Sequence, residues 1–152
     1  MHVSLSIATG SFLAAMIEFL RSQPTASIDP IEAGFEMRRA VLGDEHVETA
    51  IANTTEFNRY FQDLITRYAW GTVWTRPGLS RRTRRLLVLV TTAALGRWEE
   101  FRLHVRTGLA LELELCDLQE VLLQTAVYAG VPAANTGFQI VKEQSKKNAQ
   151  DV

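Results

Sequence analysis

The chain has 152 residues, a formal net charge of −1 and 47% hydrophobic residues, which suits one domain around a single core. The near-neutral charge gives no overall pull toward nucleic acid or an anionic membrane, and a lone cysteine, Cys116, excludes an intrachain disulfide or a CxxC redox pair. His2, His46 and His104 are too scattered for a recognisable zinc-ligand spacing, so no metal site is expected, and the cysteine usage fits a reduced, cytoplasmic setting.

Residues 3–20 are largely apolar, but Ser4, Ser6, Thr9, Ser11 and Glu18 interrupt them. The run lacks a positive n-region and is too polar for a membrane span, so an amphipathic helix over roughly Phe12–Arg21 is the better reading. Ser22–Ser27, with Pro24, reads as a linker. Asp29-Pro30-Ile31-Glu32 then has the form of a helix start: Asp29 can cap, Pro30 fits the first turn and Glu32 follows three residues later. That helix should stop near Gly43. Asp44 begins a short helix to about Ala52. Thr54 or Thr55 can cap the next, which places Phe57, Phe61, Leu64, Ile65 and Tyr68 on one face.

Trp70–Leu79 contains Gly71, Pro77 and Gly78 and is expected to be loop. Ser80 can cap a long apolar helix, Arg81–Leu95, interrupted at Gly96. Further helices are expected over Trp98–Leu111 and about Asp117–Ala129. Gly130 stops the latter, and Pro132 can start a last helix ending near Lys147. The fold expected is all-α, with about seven or eight helices: residues 1–28 form an extension, 29–147 the domain and 148–152 a polar tail. The helices over 81–95 and 118–129 are apolar on more than one side, which points to cover by another subunit.

Glu100 and His104 are four apart on an expected helix and share a face. A carboxylate beside an imidazole fixes its tautomer and raises its basicity, which serves proton transfer. The same spacing also describes an exposed i,i+4 pair with no chemical task. Residues 67–78 place Trp70, Trp74, Tyr68, Arg67 and Arg76 close together. Aromatic walls with forked cations suit a small, flat, multiply anionic ligand. Equally, the tryptophans can be core or interface anchors. Arg81, Arg82, Arg84 and Arg85 sit where cations oppose the helix dipole, so they require a compensating anion from an intersubunit carboxylate or a ligand. Most of the four read as structural, and Cys116 reads as an inert residue with no partner base.

Four stretches carry a family resemblance: RRAVLGDEHVETA (38–50), FQDLITRYAWGTVWTRPGLSRRTRRLLVL (61–89), ALGRWEEFRLHVRTGL (94–109) and EVLLQTAVYAGVPAANTGF (120–138). Together they resemble the carboxymuconolactone decarboxylase family, over most of residues 30–143. The wider family includes alkylhydroperoxidase-like proteins carrying CxxCxxxH. Here Arg97 falls at the first cysteine, Glu100 at the second, and His104 is kept. Thiol peroxidase chemistry needs a thiolate pair, so that activity is not expected.

The resemblance implies an orthogonal all-α bundle of the alkylhydroperoxidase-like type, assembled as a homo-oligomer (trimer or hexamer), without metal or organic cofactor. It implies decarboxylation of a small-molecule lactone, 4-carboxymuconolactone, to β-ketoadipate enol-lactone in protocatechuate breakdown. His104 and Glu100 would then carry the proton transfer, Arg67 and Arg76 would take the substrate carboxylates, and Trp70 and Trp74 would form the apolar walls. Residues 1–20, with His2 ahead of Phe12 and Phe19-Leu20, resemble the end of an α/β-hydrolase chain of the enol-lactone hydrolase type. That suggests a functional link to such a hydrolase. The chain has no G-x-S-x-G elbow, so no hydrolase activity is expected of it.

Overall fold

A computed structural model describes residues 29–148 as one continuous stretch. The expected Phe12–Arg21 helix and the hydrolase-like segment lie outside the described residues. Within them the protein is wholly helical: α1 Pro30–Leu42, α2 Asp44–Ala52, α3 Arg59–Ile65, a π-helical segment Thr66–Trp74, α4 Arg81–Ala94, α5 Trp98–Leu111, α6 Leu115–Tyr128 and α7 Val131–Asn148. None of these helices is long and apolar enough to cross a membrane.

Local chemistry explains most boundaries. The Asp29 carboxylate accepts from the Ile31 N–H and Pro30 occupies the first turn, satisfying one orphan donor and presetting φ. Gly43, at φ 84°, separates α1 from α2. The Ser80 hydroxyl caps α4 by accepting from the Thr83 N–H. Glu114 and Asp117 form a reciprocal capping box at the start of α6.

Two expectations fail at the centre of the chain. Neither Thr54 nor Thr55 caps α3; the helix starts at Arg59, and the Asn58 side chain accepts instead from the Thr55 N–H. Nor is Trp70–Leu79 all loop: α3 runs on through Trp74 in a widened π register, in which the Thr72 hydroxyl donates to the Arg67 carbonyl five residues back. Gly71 does not break this helix because its missing side chain is what lets the helix pack. A Cβ at Gly71 would lie 1.9 Å from the Pro30 carbonyl oxygen, and one at Gly34 would lie 2.3 Å from that of Thr66. The two glycines thus let α1 and the π segment meet backbone to backbone.

The described residues form two apolar clusters. Leu89, Phe101, Val105, Leu118, Leu122 and Ile140 build the larger one from α4, α5, α6 and α7. Val41, Leu42 and Trp70 build the smaller between α1 and the π segment, with Trp74 and Leu103 packed against it. Arg85 on α4 links the two. It is fully buried, donating to Glu112 Oε1 at 2.6 Å, Thr107 Oγ1 at 2.7 Å, and the carbonyls of Val41 (2.5 Å) and His104 (3.3 Å). The anions required by the arginine cluster come from the same chain: Glu112 also faces Arg81, and Asp117 pairs with Arg82.

The apolar side chains of α3 do not face a core of this chain. Phe57 is 97% exposed, and Phe61, Leu64 and Tyr68 are also exposed. Leu87 on α4 and Leu123 on α6 are exposed as well, as the multi-sided apolar patterns of those helices foreshadow.

Candidate active site

The site lies on α5 where the two clusters adjoin. α5 presents Phe101, Val105 and Gly108 to the larger core. Leu103 turns toward the π segment. His104 falls between these faces and is 2% exposed. Its Nε2 lies 3.3 Å from Glu100 Oε1, one turn earlier. With Nε2–H donating to the carboxylate, Nδ1 is left buried without a partner among the described residues. An orphaned ring nitrogen is costly to bury and is common where a group is reserved for chemistry. Glu100 is half exposed and reaches the surface in front of the imidazole.

The π segment brings an aromatic stack against His104. Trp70 and Trp74 stack with ring centroids 5.0 Å apart at 26°, and Trp74 lies nearly parallel to the His104 ring at 6.1 Å and 14°. Of the residues singled out from sequence, Glu100, His104, Trp70 and Trp74 therefore come together. Arg67 is engaged elsewhere, its Nη1 3.0 Å from Asp29 Oδ1 at the start of α1. Arg76 is exposed, and its carbonyl accepts from Arg84 Nη2 at 2.9 Å. No hydrogen bond or ion pair joins either arginine to Glu100 or His104 among the described residues.

Two charged residues, not singled out from sequence for this site, complete the electrostatics. Arg38 on α1 is 6% exposed, and its Nη1 donates to Gln62 Oε1 at 3.2 Å. Burial lowers its pKa, and the nearby Glu100 carboxylate works in the opposite direction. His46 on α2 is held below the usual histidine range, first by burial and then by the charges of Arg38 and Arg106. Glu100 is held below the usual carboxylate range, chiefly by the hydrogen bond from His104, against the opposing effect of burial, with further help from His104, His46 and Arg38. One carboxylate is thus flanked by two imidazoles and a guanidinium. Arg38 could have been suspected from the sequence: Gly34, Arg38, Val41 and Leu42 form the buried stripe of α1, and an arginine in such a stripe needs an explanation.

An open cleft of about 440 Å³ borders this cluster, with His46, Glu100, Leu103, Arg106 and Lys147 in its wall. A larger one, about 900 Å³, shares His46 and Arg106 but includes neither Glu100 nor His104, so the chemistry favours the smaller. Among the described residues no His, Cys, Asp and Glu group has the form of a metal site. Cys116 is exposed at the start of α6, on a different helix from Glu100 and His104.

The chain is similar to known proteins. Residues 59–143 match the family described as Carboxymuconolactone decarboxylase family. The chain is 42% identical over 113 residues to the 4-carboxymuconolactone decarboxylase of Acinetobacter baylyi, covering 74% of this chain and 84% of that protein. It is 43% identical over 102 residues to the nitrosuccinic acid decarboxylase npaB of Metarhizium robertsii, covering 67% of this chain and 71% of that protein. A 40-residue match at 50% identity to the 4-carboxymuconolactone decarboxylase of Pseudomonas putida covers 26% of this chain and 83% of that sequence.

Proposed function

The chain belongs to the carboxymuconolactone decarboxylase family, and from that premise we propose that it is a carboxy-lyase converting 4-carboxymuconolactone to β-ketoadipate enol-lactone in protocatechuate catabolism. The observation that carries the reading is the buried His104 imidazole paired with a half-exposed Glu100 carboxylate and stacked on Trp74, in a chain 42% identical to a decarboxylase of that name.

The substrate is a butenolide whose γ carbon bears a carboxylate and an acetate arm. Breaking the bond to the carboxylate releases CO2 and leaves an electron pair at that carbon. The pair delocalises through the ring double bond to the lactone oxygen, so the substrate is its own electron sink. Protonation at the α carbon completes the enol-lactone.

The protein must position the ring, favour charge at the lactone oxygen and deliver one proton. Trp70 and Trp74 form the apolar wall that keeps water from the departing carboxylate. The Glu100–His104 pair moves the proton. Glu100 fronts the cleft, and His104 behind it holds the carboxylate and exchanges protons with it. Arg67, its charge already shared with Asp29, and the exposed Arg76 would serve at most the outer approach of an anion.

The acting unit is residues 29–147, folded as an alkylhydroperoxidase-like bundle in a homo-oligomer, a trimer or hexamer, whose contacts cover exposed side chains such as Phe57 and Tyr128. Peroxidase chemistry is not favoured, because Glu100 stands where a thiolate would be needed. The npaB relative makes nitrosuccinate the counter-substrate to test, since a nitro group can also accept an electron pair.

The test is an ultraviolet assay with CO2 detection on 4-carboxymuconolactone, run beside nitrosuccinate. Turnover of the lactone and its loss by about 10²–10⁴-fold in a folded His104→Ala variant are expected. An inactive wild type, or selective turnover of nitrosuccinate, overturns the assignment.

A further inference from the structure

Among the described residues two arginines are buried, and they differ in one respect. Arg85 is saturated: a carboxylate, a hydroxyl and two carbonyls take its donors. Arg38 is almost as deeply buried, yet its hydrogen bond to Gln62 is neutral, its Nε is buried with no partner, and no carboxylate pairs with it among the described residues. A guanidinium stays charged in a protein and presents a planar fork matched to a carboxylate. Burying one with Nε unpaired and no anion against it is expensive, and pairing it with an anionic ligand recovers part of that free energy on binding. Arg38 occupies the inner stripe of α1 beside Val41 and Leu42, which pack with Trp70, Trp74 and Leu103. It also lies close enough to Glu100 for the two charges to interact.

We propose that Arg38 is the cation that binds the substrate's retained carboxylate, the one on the acetate arm. The proposal rests on the decarboxylase reading for the identity of that carboxylate. The choice between the two substrate carboxylates follows from the reaction. A cation gripping the leaving carboxylate stabilises charge that must vanish in the transition state, which raises the barrier. The acetate carboxylate keeps its charge throughout, so its pairing with Arg38 survives the reaction and anchors the ring against the tryptophans. Arg67, already paired with Asp29, and the exposed Arg76 are then secondary to Arg38 in reading the substrate.

The test compares the full-length wild type with Arg38→Gln and Arg38→Lys, each checked for folding by circular dichroism. The probe is muconolactone, which bears the acetate arm and lacks the γ-carboxylate; its binding is measured by calorimetry beside steady-state kinetics on 4-carboxymuconolactone. In Arg38→Gln, Kd for muconolactone and KM for substrate should rise together by on the order of 10- to 100-fold, as expected for losing a charged hydrogen-bond pair. At saturation kcat should change only a few-fold, and Arg38→Lys should recover part of the binding. If Arg38→Gln does not fold, the loss of muconolactone affinity in folded Arg38→Lys carries the same test.

A raised KM with unchanged muconolactone affinity overturns the proposal in favour of the leaving carboxylate. A lowered kcat and shifted pH profile with unchanged affinity overturn it in favour of Arg38 serving only to balance Glu100. An active wild type whose Arg38 variants match it sinks this proposal and leaves the decarboxylase reading standing. A wild type without turnover, but with Arg38-dependent muconolactone binding, sinks the reaction and upholds the carboxylate site.

Discussion

Gly71→Ala is the substitution whose effect follows most directly from the geometry. The new Cβ would sit 1.9 Å from the Pro30 carbonyl oxygen and 2.8 Å from its carbon. An ordinary C···O contact is about 3.3 Å, so α1 and the π segment must part by roughly 1.4 Å. The obstacle is backbone, so no rotamer change relieves it. Overpacking of this kind costs about 1–3 kcal/mol, against a gain of at most about 1 kcal/mol from alanine's better helix propensity. The clash therefore wins, and thermal unfolding followed by circular dichroism should shift down by roughly 2–8 °C. Gly71 lies between Trp70 and Trp74, and the Trp74 ring stacks on His104, so the displacement reaches the site. A misplacement of about 1 Å can lower turnover by up to ~10²-fold. Gly78→Ala is the control, because a Cβ there meets nothing within 4 Å. Wild-type melting and wild-type kcat/KM in Gly71→Ala would refute both the tight backbone contact and its role in setting the tryptophan wall.

Glu100→Gln should lower kcat with the fold intact, and the double variant with His104→Ala should lose less than the product of the two single losses if the pair acts as a unit; multiplicative losses in steady-state kinetics would separate their roles. Arg85→Ala strands Glu112 and removes the link between the clusters, so urea unfolding should show a loss of about 3–5 kcal/mol; a loss below 1 kcal/mol would contradict the assigned role. Arg67→Ala breaks an exposed pair with Asp29 and should cost no more than about 1 kcal/mol by the same measurement. Both shifted acid–base groups of the site predict acid sensitivity. The folded-state pKa of His46 lies below its ordinary 6.5, so its contribution to stability is present above pH 6.5 and is lost as pH falls through the folded value. That of Glu100 lies below 4.5, so its contribution is present above that pH and is lost on further acidification. Chemical denaturation from pH 7 down to pH 4 should show stability falling, with the first part of the fall absent in His46→Gln.

The sequence by itself determined the helical class and most helix ends, because capping and breaking are local: Asp29, Ser80 and the Gly43 turn act on residues within a few positions of themselves. It also determined the Glu100–His104 pairing, since a four-residue spacing on a helix places two side chains on one face whatever surrounds them. The family was legible too, through motifs that run along the chain. Tertiary structure alone decided the rest. Trp70–Trp74 continues a helix despite Gly71, because the gain from packing against Pro30 outweighs glycine's local cost. Asp29, read locally as a cap, also takes up Arg67 from 38 residues away. Arg38 and Arg85, alike as residues, are distinguished only by what the fold brings to them: Glu112 arrives at Arg85, while no carboxylate of the described chain pairs with Arg38. Ion pairing and desolvation depend on contacts between residues remote in sequence, which local periodicity does not encode.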